Sequence, residues 1–139
     1  MIQLRLPRLL LTSLTVLCLA AAFVWIGYED QSTGRVSLLG ACGASLAVLL
    51  IAERRYGRRP LAPRQWLMGC MSAGLLGGLA TGPLVIVLMA LKVSLHGHAV
   101  PDFSPQDVLA VLATIPIWGG AGFLLGGAVG LIGLARAKA

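Results

Sequence analysis

A short polar segment in the second half of the chain contains the residues best suited to chemistry. His96, His98 and Asp102 lie close together there, between Lys92 and Asp107. Imidazole nitrogens and carboxylate oxygens are ligands for zinc and copper. These three residues leave a tetrahedral site incomplete, so Asp107, water or a neighbouring subunit would have to supply the rest. We therefore predict a solvated loop with no metal and no cofactor, in which Lys92 extends to the surface, and keep pH sensing by the histidines as an alternative.

Elsewhere the available residue types limit the chemistry. The apolar stretches have no ionisable residue near their centres, where such groups are costly and mark ion or proton pathways. Hydroxyl groups at depth can bond to their own helices. They are Ser45, Ser72, Thr81 and Thr114. Cys18, Cys42 and Cys70 fall at different depths and form no CxxC pair, which predicts free thiols. The sequence thus predicts that the protein is not an enzyme and argues against a proton-driven transporter.

Four apolar stretches dominate this chain of 139 residues, of which 58% are hydrophobic and 12% charged. About 20 apolar residues are enough for a helix to span a membrane. We therefore predict a single-domain, all-α integral membrane protein with four transmembrane helices. The spans are expected at about 9–28, 36–52, 66–91 and 115–134.

A helix start signal precedes the fourth span. Ser104, Pro105 and Asp107 have the residue types expected at the N-cap, first and third helical positions. Proline disfavours a regular helix through its own position, and Pro116 follows within a few turns. The pattern therefore predicts a short helix at the outer membrane interface, over about 105–114, that bends into span four.

Basic residues are concentrated in alternate connections. Nine of the eleven Lys and Arg lie before the first stretch, between the second and third, or after the fourth, whereas four of the five acids lie on the opposite side. The positive-inside rule then predicts cytoplasmic N- and C-termini, and we expect the bacterial inner membrane. The loop 53–64 is predicted to contact anionic lipid headgroups rather than nucleic acid, with a specific acidic partner as the alternative. Its arginines are Arg54, Arg55, Arg58, Arg59 and Arg64.

The first stretch has two interpretations. Basic residues, an apolar run and the small residues 20–22 are features of a secretory signal peptide. The run continues to Tyr28, however, which makes it long enough to span a membrane. We expect an uncleaved helix with Trp25 as an interfacial anchor, a role also predicted for Trp66 and Trp118.

Glycines recur at every fourth position in spans three and four. This spacing places them on one face of each helix, where two backbones can approach closely. We predict that the two faces pack in an antiparallel contact. The glycines are Gly74, Gly78, Gly82, Gly122, Gly126 and Gly130. Pro83, directly after Gly82, also predicts a kink in span three.

These features favour a small non-enzymatic membrane subunit that packs through its glycine faces in a homo-oligomer or a larger membrane complex. A small oligomeric channel or transporter is one alternative, with a pore at the break in span three, and a holin-like lesion former is another. In size and number of spans the chain resembles the small multidrug exporters and the fluoride channels. It lacks the carboxylate expected in the exporters' first helix and the asparagine expected in a fluoride pore, so the sequence assigns it to neither family.

Overall fold

The computed structural model describes residues 7–28, 32–57, 59–96 and 103–137. Within those ranges the chain forms four α-helices and no strand. They are α1 (Arg8–Gly27), α2 (Thr33–Tyr56), α3 (Pro63–His96) and α4 (Pro105–Arg136). Each helix is long enough and apolar enough to cross a membrane, which confirms the predicted set of four membrane-length helices. The fold is compatible with an integral membrane protein.

Local sequence signals mark the starts of α2 and α4. At α4, the backbone nitrogen of Asp107 donates to the Ser104 hydroxyl at 3.3 Å, and the Ser104 nitrogen donates to the Asp107 carboxylate at 2.8 Å. This reciprocal pair is the predicted capping motif, with Pro105 in the first turn. Ser32 caps α2, since its hydroxyl accepts from the backbone nitrogen of Arg35 at 3.4 Å.

The fourth helix corrects one prediction. Residues 105–136 form one continuous α-helix of 32 residues, rather than a separate interfacial helix followed by a span from about residue 115. Proline removes one backbone donor and crowds the preceding turn, but neighbouring contacts can hold the helix together. Here α4 contacts α3 on both sides of Pro116, through the Ile115 side chain and the Trp118 carbonyl. Tertiary packing therefore outweighs the local breaking signal.

Helices α3 and α4 are longer than a bilayer requires. The 34 residues of α3 and the 32 of α4 correspond to about 51 and 48 Å of helix. A hydrocarbon core is about 30 Å thick. Pro83 lies inside α3 without ending it. In a membrane these two helices would tilt or extend beyond the hydrocarbon at their ends.

Successive helices run antiparallel. Gly43 of α2 lies between Cys18 of α1 and Leu84 of α3, and Gly74 of α3 faces Gly122 of α4. Among successive helices, the contact between α3 and α4 is the most extensive, that between α2 and α3 is second, and that between α1 and α2 is the smallest. The bundle is therefore built around the α3–α4 pair.

The two ends of the bundle differ in composition. One end, here called the Trp25 end, contains the last turns of α1 and α3 and the start of α4. It holds the main buried cluster, formed by Trp25, Val36, Val85, Met89, Phe103 and Val111. The opposite end, the Trp66 end, contains the start of α3 and the last turns of α4. Trp66 and Lys92 are about 39 Å apart along α3, close to the 40–45 Å or so of a bilayer with its interfacial regions.

Candidate functional site

The α3–α4 interface is built from backbone against backbone. A Cβ atom added to Gly74 would fall on the carbonyl oxygen of Gly122, and one added to Gly122 would fall on that of Gly74. Gly78 faces the carbonyl oxygen of Trp118 in the same way. Such approach requires that the glycine present no side chain to the facing backbone. The structure therefore brings these predicted packing residues together within a single chain.

The remaining predicted glycines extend the same interface in both directions. Gly126 faces the carbonyl of Cys70, and Gly82 lies under the side chain of Ile115. At Gly130 an added Cβ would come within 2.8 Å of a Leu67 methyl group and 3.3 Å of the Cys70 Cβ. Each of the six glycines thus takes part in the contact between α3 and α4 within the chain.

Trp66 closes this interface at its end of the bundle. The Trp66 side chain is 9% exposed, and its indole N–H donates to the carbonyl oxygen of Gly130 at 3.1 Å. Its ring covers Gly133, where an added Cβ would meet the indole nitrogen at 2.6 Å. Trp66 therefore packs between two helices, unlike a belt residue that faces lipid headgroups. Gly133 falls outside the every-fourth-residue pattern, so the spacing did not identify it.

Trp118 also differs from the predicted interfacial anchor. Because α4 begins at Pro105, Trp118 lies about 20 Å from its N-terminus. Its carbonyl contacts Gly78 in the middle part of α3. The residue is therefore at mid-helix depth.

A buried lysine is the most unusual polar feature of the structure. Lys92, in the last part of α3, is 1% exposed. Its ammonium nitrogen lies 4.4 Å from the centre of the Trp25 ring and 6.0 Å from that of Phe103. The two rings are stacked with their centres 6.3 Å apart. Lys92 makes at least one further interaction besides these. We call Lys92, Trp25 and Phe103 the lysine–aromatic cluster.

This geometry corrects the prediction that Lys92 extends to the surface. An ammonium group is costly to bury unless other groups replace its hydration. The electron-rich faces of aromatic rings attract a cation at distances of about 6 Å or less, most strongly when water is excluded. Trp25 comes from α1 and Phe103 lies two residues before the start of α4, so the cluster joins three parts of the chain at one end of the bundle. The Trp25 indole nitrogen itself has no hydrogen-bond partner among the described residues.

Comparison with protein-family models, curated proteins and solved structures gives no match. The role of the cluster is therefore inferred from its own chemistry. An enclosed ammonium beside two ring faces can fix the relative position of helices. It also places a positive charge beside the main buried apolar cluster.

The predicted metal-site residues fall largely outside the described part of the chain. His98 and Asp102 lie outside it, and for His96 only the backbone, at the end of α3, is described. Among the residues that the structure describes, no group of His, Cys, Asp or Glu could hold a metal ion. The three cysteines are free thiols, as predicted.

The predicted headgroup-contact arginines lie around the Trp66 end. Arg54 and Arg55 are exposed in the last turn of α2. Arg59 and Arg64 are exposed in and after the connection to α3, and Arg58 lies outside the described residues. The geometry leaves the four described guanidinium groups accessible to a large anionic surface.

The two threonine hydroxyls at mid-depth form hydrogen bonds within their own helices. The Thr81 hydroxyl donates to the Gly77 carbonyl at 3.1 Å, and Thr114 donates to Val111 at 2.7 Å. No break interrupts α3 at Pro83, and Gly82 lies under the Ile115 side chain of α4. A pore lined by this part of α3 would require α4 to move away.

Proposed function

We propose that this chain is a non-enzymatic subunit of an integral membrane assembly, formed with copies of itself or with other membrane proteins. The observation that carries the proposal is the exposure of α1. Only Leu11 and Trp25 of this helix are buried. Large apolar side chains along the rest of α1 are exposed, among them Val16, Leu17, Leu19 and Phe23. A helix with so few buried residues offers a long apolar face to lipid or to another helix.

In this proposal the glycine faces act in the predicted contact between α3 and α4, and not between subunits. They are occupied inside the chain, so they stabilise the α3–α4 pair and leave other surfaces for assembly. In a membrane, helices associate by shape and close packing because lipid is as apolar as the side chains. The weakly packed α1 can exchange lipid contact for protein contact without disturbing the α3–α4 pair. We therefore assign assembly to α1.

The orientation follows from charge. The proposal places the Trp66 end and both termini on the cytoplasmic side, where nine of the eleven basic residues fall. The exposed arginines at that end would then lie against anionic headgroups, each contributing about 1 kcal/mol of attraction near the surface. The lysine–aromatic cluster would lie at the opposite interface.

The size of the assembly in a bilayer tests the proposal. The full-length chain in lipid nanodiscs is expected to give native mass spectra heavier than one chain. Leu19→Trp on α1 should reduce the assembly, whereas Leu131→Trp on α4 is the matched control and should not. Both leucines are exposed within one chain, at 65% and 59%, so neither change should unfold it. A wild-type chain that is monomeric and purifies without another membrane protein contradicts the proposal.

A second measurement separates a subunit from a pore. Liposomes that contain only the pure protein are expected to show no ion or solute flux above that of empty liposomes, because α3 is continuous and Ile115 covers Gly82. Flux that grows with protein density and is altered by Ile115→Ala would instead support the channel alternative.

A further inference from the structure

A shallow groove opens between α1 and α2 at the Trp25 end. Its volume is about 440 Å³. Its walls are mostly aliphatic, and its polar side chains are those of Tyr28 and Arg35. The lining consists of Ala21, Val24, Trp25, Tyr28, Arg35, Leu38 and Leu39.

The polar and apolar parts of this groove are separated along the helix axes. Tyr28 follows the last residue of α1, and Arg35 lies in the first turn of α2, so both are at the end of the bundle. Ala21 lies seven residues before Tyr28, about 10 Å deeper along α1. Leu39 lies about 6 Å deeper than Arg35 along α2. The groove thus has Arg35 and Tyr28 at its mouth and an apolar interior.

We propose that this groove binds one anionic phospholipid. The Arg35 guanidinium donates to the lipid phosphate, with the Tyr28 hydroxyl beside it, and one acyl chain lies against Val24, Leu38 and Leu39. The choice of ligand rests on charge complementarity: a guanidinium at the membrane interface matches a phosphodiester, and the apolar walls match a chain that continues toward the bilayer centre. Arg35 has other interactions as well, but its five N–H donors can serve more than one partner. The proposal depends on membrane insertion and is independent of assembly through α1.

Native mass spectrometry of the full-length, delipidated chain tests the proposal. The chain in neutral detergent is titrated with phosphatidylglycerol, with phosphatidylcholine and with glycerol 1-phosphate. One phosphatidylglycerol is expected to bind per chain, ahead of phosphatidylcholine, and glycerol 1-phosphate should not bind at the same concentrations. Equal binding of the two lipids would overturn the charge argument. Binding of glycerol 1-phosphate as strong as that of phosphatidylglycerol would overturn the role of the acyl chain.

Two pairs of variants locate the site. Arg35→Gln is expected to weaken phosphatidylglycerol binding by about tenfold or more, as expected for a lost charged hydrogen bond. Arg35→Lys, which keeps the positive charge at the same position, should weaken binding less than Arg35→Gln. Leu38→Trp should fill the groove and displace the lipid, whereas Leu124→Trp should not; the two leucines are 63% and 72% exposed.

Unchanged binding in Arg35→Gln or in Leu38→Trp overturns the assignment. Because the two variants act on different parts of the groove, loss of folding in one leaves the other decisive. The same spectra report the number of chains per assembly, so a failure of this site is distinguished from a failure of the proposed assembly.

Discussion

At the scale of single residues, Lys92 illustrates how tertiary neighbours decide the position of a charge. A long basic side chain near a helix end usually reaches toward water, and the sequence alone favours that outcome. Trp25 and Phe103 come from distant parts of the chain and cover Lys92 in the folded structure. No local pattern around position 92 contains this information. The buried lysine was therefore beyond prediction, whereas the capping motif at Ser104 and Asp107, which is purely local, was predicted correctly.

The attraction between Lys92 and Trp25 can be measured with a double-mutant cycle. Trp25→Leu removes the ring and is expected to lower the free energy of unfolding in mixed micelles. In a Lys92→Met background the same change should cost less, by about 0.5–2 kcal/mol, because the cation that the ring attracts is gone. Phe23→Leu is the control, since Phe23 is 80% exposed two residues away. Equal costs of Trp25→Leu in the two backgrounds would show that Trp25 acts only through apolar packing.

At the scale of helices, apolar runs and regular glycine spacing predicted the structure better than helix-breaking residues did. The apolar runs identified all four helices because a membrane-length apolar stretch has few other ways to bury itself. The every-fourth-residue glycines indicated close helix contact, and the structure places them between α3 and α4. Spacing alone could not say whether the partner helix belongs to the same chain. Pro116 was wrongly taken as a boundary because its effect depends on the α3 contacts around Ile115 and Trp118.

The α3–α4 interface can be tested with two glycines on the same helix. Gly122→Ala is expected to destabilise the fold by about 1–3 kcal/mol, because the added methyl group meets the Gly74 carbonyl. Gly120 has no heavy atom of a neighbour within 4 Å of the position of an added Cβ. Gly120→Ala should therefore be neutral, or stabilising by up to about 1 kcal/mol through helix propensity. Denaturant titration in mixed micelles compares them, and equal effects would mean that the close approach is not required for stability.

At the scale of the whole molecule, the structure gives the order and contacts of the helices. Their orientation in a membrane is proposed from the distribution of charge. The basic residues of the Trp66 end and of the termini predict that this side faces the cytoplasm. Arg54 and Arg55 at the end of α2, and the arginines that follow them in the connection to α3, would then remain on the cytoplasmic side of the membrane. This distribution is a property of the sequence, which is why topology could be predicted without knowledge of the packing.

Reporter fusions test that orientation. Fusions after Arg64 and after Ala139 are both expected to give the cytoplasmic signal, and a fusion between α3 and α4 should give the opposite one. If Arg54, Arg55 and Arg59 determine the orientation, their joint replacement by Gln should produce mixed signals. A periplasmic signal from either of the first two fusions in the unaltered chain would contradict the arrangement.

The absence of side chains at the centre of the α3–α4 interface has an entropic consequence. Most helix contacts restrict the rotamers of the side chains that interdigitate, and each large side chain loses up to about 2 kcal/mol of conformational freedom when buried. Gly74, Gly78, Gly122 and Gly126 have no rotamers to lose. The α3–α4 contact can therefore form with less loss of side-chain conformational freedom than a contact between interdigitating side chains.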